Sequence, residues 1–124
     1  MDTGELLKKY QAGLRTFSGA KLRQAVLFRA NLSFVDLSFA DLSFADLRGA
    51  NLFGADLQGA NLQETNLSGA NLSGANLFGA KLFGADLRSA NLQRTQLSAA
   101  YYDEQTQFSE GFSPQRQGMR TRKP

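Results

Sequence analysis

Six carboxylates stand in the middle of this 124-residue chain: Asp36, Asp41, Asp46, Asp56, Glu64 and Asp86. Carboxylates can move protons or hold hard cations, but only where they converge in a concavity. The chain has no histidine and no cysteine, which removes the commonest general base, the thiolate nucleophile and the usual soft-metal ligands. Neither G-x-x-x-x-G-K-[ST] nor G-x-G-x-x-G occurs; the glycines follow a five-residue period, as turn residues do. The expectation is a chain that is not an enzyme, with no catalytic residue, no metal and no cofactor.

What positions these carboxylates is a repeat. Every fifth residue from Leu22 to Leu97 is leucine, with Phe17 one step earlier and Tyr102 one step later. Two residues before each leucine stands a small residue, nearly always alanine. A period of five gives no apolar face on a helix, and on a flat strand it sends successive leucines to opposite sides. All of them point one way only if the chain turns once per repeat. Four near-right-angle turns close a coil of about 20 residues, with Leu and Ala inside and the other positions outside. Val35, Thr65 and Thr95 replace alanine inside, and the two threonine hydroxyls need a carbonyl or a water.

The string A-[N/D]-L-x-x, as in Ala45-Asp46-Leu47-Arg48-Gly49 and Ala75-Asn76-Leu77-Phe78-Gly79, resembles the signature of the pentapeptide-repeat proteins. The match runs over residues 15–100 without a break in register, and small cyanobacterial members are similar in their ends as well. The resemblance implies an all-β solenoid, a right-handed quadrilateral β-helix of about four coils. Its handedness comes from the resemblance alone.

At the ends, residues 1–14 read as a helical cap, with Asp2 and Glu5 in capping-box spacing and Leu6, Leu7, Tyr10 and Leu14 suited to covering the first coil. Residues 101–112 read as a C-terminal cap built on aromatics. Residues 113–124, with four basic side chains and one apolar one, Met119, read as an unfolded basic tail. No apolar run is long enough for a membrane span, and the start lacks a signal-peptide core, so the expected compartment is the cytoplasm.

With 20 residues per coil, residues i and i+20 stack. One outer row is then Asn31, Asn51, Asn71 and Asn91, whose amides are placed to form a hydrogen-bonded ladder. Another sets Lys21 beside Asp41. Phe34, Phe39 and Phe44 stand where most repeats have glycine, a belt around the second coil, with Phe28 before it and Phe53 diagonal to Phe34. Exposed phenylalanine suggests a contact surface, so these five are the candidate partner-binding residues. The competing account is local packing over turn backbone and arginine methylenes. Phe78 and Phe83 form a second, weaker pair.

The expected function is a solenoid scaffold that binds another protein, as a monomer or as an end-to-end or side-by-side homodimer. Some pentapeptide-repeat proteins are acidic rods that imitate DNA and bind gyrase. Here residues 15–100 carry eight basic and six acidic side chains, about +2, so that negative field is missing. Nucleic-acid binding would fall to the basic tail, at a modest overall +3.

Overall fold

The structure, a computed structural model, describes residues 1–121. Parallel bridges join residue i to residue i+20 in unbroken succession from Thr16–Asp36 to Lys81–Tyr101. The chain therefore returns over itself every 20 residues, each coil being four five-residue segments closed by turns. One segment illustrates the bonding. Leu22 N–H donates to the Asp41 carbonyl of the next coil at 2.8 Å, Gln24 N–H to the Ser43 carbonyl at 2.8 Å, and Ala25 N–H closes the turn on the Leu22 carbonyl at 3.0 Å. The residue two after each leucine has positive φ (Gln24 +62°, Phe34 +60°, Gly54 +66°), which explains why glycine dominates that slot.

The core is a single column. Every repeat leucine from Leu22 to Leu87 is at most 1% exposed. Each contributes roughly 1.5–3 kcal/mol of apolar burial. Thr65 and Thr95 donate to the carbonyls of Leu42 and Leu72, both at 2.7 Å, so the interior hydroxyls are satisfied within the protein. Among the described residues no buried side-chain polar atom lacks a partner.

Helix α1, Thr3–Gln11, closes the first coil. Asp2 caps it by accepting from Glu5 N–H at 2.8 Å. Leu6 and Tyr10 are buried and Leu7 packs against the core; Leu14 lies beyond the helix end, past Gly13 at φ +102°, and is exposed. No helix among the described residues is long and apolar enough to cross a membrane.

The C-terminal segment departs from expectation. Residues 113–121 are folded rather than an unfolded tail: a 3-10 turn at Gln115–Gln117 returns the chain, and β2, Arg120–Thr121, pairs in parallel with β1, Tyr101–Tyr102. Met119 is buried against the core column. The basic composition hides the reason, which is that one methionine and the open edge of Tyr101–Tyr102 suffice to dock the strand. Residues 122–124 of that tail lie outside the described residues. Tyr102 meets Phe108 edge to face with ring centroids 6.0 Å apart, and Phe108 stacks on Phe112 at 4.7 Å.

Candidate functional site

The outer surface has four sides, each a stack of segments 20 residues apart. The carboxylates lie on three of them without converging, and the five aspartates among them accept from their own turns. Asp41 accepts from Ser43 Oγ at 2.6 Å and from Ser43 N–H at 3.0 Å. Hydrogen bonding from Ser43 holds its carboxyl below the usual range against the opposing effect of burial, with Arg23 helping. Asp46 and Asp86 receive bidentate pairs from Arg48 and Arg88, the ion-pair distances being 2.7 and 2.8 Å. Those guanidinium bonds depress both carboxyls, and the carboxylates in turn raise the two arginines. Among the described residues the ion pairs are these two and Lys9–Glu5; Lys21 and Asp41 are bridged neighbours but form none. No group of three metal-ligating side chains occurs among the described residues.

The fourth side is the asparagine row. Asn31, Asn51, Asn71 and Asn91 do stack as bridged neighbours. Their side chains, however, do not form a continuous amide ladder. Each Oδ1 accepts the N–H two residues on: Ser33 at 3.3 Å, Phe53 at 3.1 Å, Ser73 and Gln93 at 3.0 Å. One inter-coil amide bond accompanies them, Asn51 Nδ2 to Asn31 Oδ1 at 3.4 Å. The local bond wins because it satisfies a turn N–H at no cost in chain order. From Asn31 to Gln93 the outward positions on this side carry no ionisable group; the other three sides all do.

The phenylalanines divide by what covers them. Phe34 and Phe53 meet edge to face on the asparagine side, ring centroids 5.3 Å apart. Phe44 lies under the Arg23 guanidinium at 4.6 Å and Phe28 under Arg48 at 5.0 Å. Phe39 is 62% exposed and leans over Gly59 of the next coil. The belt is thus spread over three sides, and only Phe34 and Phe53 pair. Of the second set, Phe78 is exposed while Phe83 is buried near Tyr101, with centroids 5.9 Å apart.

A pairing of sizes, legible as a 20-residue offset, accompanies this layout. Arg29, Phe34, Phe39 and Glu64 each occupy a positive-φ corner, and each lies over a glycine one coil later: Gly49, Gly54, Gly59 and Gly84. Phe28 and Arg48 likewise stand 20 residues apart in the same slot, so that cover lay in the register; Arg23 carried no such signal for Phe44, since the two stand on adjacent coils at unlike slots.

Residues 16–52, 50–88 and 68–101 match the sequence profile of pentapeptide repeats, in eight copies. No curated protein matches. Among solved structures, the chain is similar to Rfr23, a pentapeptide repeat protein from the cyanobacterium Cyanothece 51142, at 41% identity and a TM-score of 0.74; 75% of this chain and 63% of that one are covered. It is also similar to alr5209 from Nostoc PCC 7120 (39% identity, TM-score 0.50, 98% and 96% covered). A third is HetL from Nostoc PCC 7120, involved in heterocyst differentiation regulation (35% identity, TM-score 0.57, 83% and 60% covered). The chain spans less than two thirds of Rfr23 and HetL.

Proposed function

The chain belongs to the pentapeptide-repeat family, and from that premise we propose that it is a non-enzymatic interaction module that seats a partner protein on its asparagine side. The rod is taken as a right-handed quadrilateral β-helix of about four coils, the handedness following from the family. The single observation that carries the reading is the Phe34–Phe53 pair, half-exposed on the side whose outward positions from Asn31 to Gln93 carry no ionisable group. Loss of charge around aromatic anchors is the composition of interface centres, because such a patch sheds water at little cost. HetL, named for a part in regulation, supports contact over catalysis. The cytoplasm is the compartment assumed, on the sequence features alone.

The test is a comparison of captured proteins. Phe34→Gly with Phe53→Ser places in each slot a residue that other repeats already carry, Gly74 and Ser73 among them. Proteins held by the native chain and lost by this variant, at an unchanged melting temperature, support the reading. Equal capture by both, or capture by neither, overturns it.

A further inference from the structure

The first coil has no coil above it. In later coils the upward-facing backbone groups work in one pattern. Asp46 N–H donates to the Ala25 carbonyl at 2.9 Å, the Asp46 carbonyl accepts from Leu27 at 2.8 Å, and the Arg48 carbonyl accepts from Arg29 at 2.8 Å. One coil earlier, the same slots are the N–H and C=O of Val26 and the C=O of Phe28. Among the described residues no hydrogen bond reaches any of these three. The cap serves the sides to either hand. The Met1 amino group donates to the Lys21 carbonyl at 3.5 Å, and the Tyr10 hydroxyl to the Ser33 carbonyl at 2.7 Å. The edge between them is open.

Its side chains are equally distinct. The slot before a repeat leucine is polar or charged throughout the rod except at Val26, which is 65% exposed. Phe28, two residues on, is 52% exposed. Open β-edges are ordinarily guarded by charge, as Lys21 guards the neighbouring side. Beside the edge, the Asp46 carboxylate is already taken by Arg48, whereas Arg29 makes no ion pair among the described residues.

We infer that the Val26–Phe28 edge is a docking site for an extended peptide segment of a partner protein, added as one further strand. The segment supplies a carbonyl for Val26 N–H and donors for the two carbonyls. It is apolar where it lies along Val26 and Phe28, and acidic where it passes Arg29. A second copy of the chain does not fit. A helix is about 10 Å thick, whereas the next strand sits ~4.8 Å away. Helix α1 therefore holds off any whole coil, and a lone strand passes beside it. The site shares no residue with the Phe34–Phe53 pair, so either can fail without the other.

The experiment uses the full chain, isotope-labelled, titrated with an acetylated peptide of alternating valine and threonine flanked by glutamates. A version interrupted by prolines, which lack the N–H donors, is the control. The first peptide should slow exchange of the Val26 amide ~10-fold or more and shift the Val26 and Phe28 resonances. The proline version should do neither. Val26→Lys, a residue the fold accepts at Lys21 and Lys81, should remove binding with the melt unchanged. Phe28→Ser, matching Ser33 and Ser38, is the second variant and should weaken binding ~10-fold. No perturbation at about 1 mM peptide, or equal binding by Val26→Lys, overturns the proposal. Self-association without peptide that Val26→Lys removes would also overturn it, in favour of a second copy.

Discussion

In the middle of the rod, Leu62 is fully buried, its N–H donates to the Lys81 carbonyl at 2.8 Å, and coils stand on both sides of it. Near the C-terminal end Leu92 occupies the same slot on another side, yet it is only half-buried, and among the described residues no fifth segment bridges Asn91 or Gln93. The residue type is the same and the neighbours differ. A solenoid repeat has no stability of its own; it borrows a face from each neighbour, and an end position borrows once. Leu62→Ala should therefore cost ~2–5 kcal/mol through lost burial and a cavity. Leu92→Ala should cost about half as much or less, because solvent already reaches the site. Thermal melts of the two variants decide it. Equal losses would mean that the ends are packed as tightly as the middle.

A second contrast lies within the middle itself, between corners that are leaned upon and corners that are free. Gly59 has φ +65°, and an added Cβ would stand 2.5 Å from the Phe39 ring. Gly79 has φ +70° and nothing within 4 Å. Gly79→Ala should cost only the left-handed conformation, ~1–2 kcal/mol. Gly59→Ala should cost more, since the ring has to swing off the turn. Combining it with Phe39→Gly should bring the two glycine positions level. A double variant that stays worse than Gly79→Ala would break the idea that large corner residues and glycines are matched across coils.

The two contrasts mark what was legible in the sequence. The Leu and Ala column and the 20-residue register follow from the period, because one closed coil allows only one inside. The asparagine row was legible as a stack but not in its bonding, since Asn31 and its counterparts serve their own turns, a preference acting over two residues and not twenty. The docking of Met119 and Arg120–Thr121 escaped because the period breaks there. Gln107 bridges Asp86 at an offset of 21, and Arg120 pairs Tyr101 at 19. A search for repeats sees composition at such a point and misses the strand. For Phe34, Phe39 and Phe44 the period sets the corners, and the 20-residue offset sets Arg48 over Phe28, but nothing in the register brings Arg23 over Phe44 instead of out to solvent.

The smallest effect concerns the charged sides against the asparagine side. Asp41, Asp46, Asp86 and Asp103 all have carboxyls held below the ordinary value. For Asp46 and Asp86 the leading cause is the arginine hydrogen bond; for Asp103, burial opposes the shift and bonds from Gly84, Thr106 and Gln105 outweigh it. A carboxyl with a lowered folded pKa stabilises the fold fully above its unfolded value of about 3.9 and loses that contribution as pH falls through the folded value. The melting temperature should therefore be flat on this account from neutral pH to about 5 and decline below about 4. Asp46→Asn with Asp86→Asn should flatten the decline and change the neutral melt little, since both guanidinium partners are solvent-facing. Asn is already the residue at the bridged position between them, Asn66, so the turns keep their side-chain acceptor. If the double variant melted with the same acid slope as the native chain, the pairs would be ornaments of the surface. The acid response would then belong to Asp41 and Asp103, held chiefly by hydroxyls and backbone amides, with only the Arg23 contribution at Asp41 open to screening by salt.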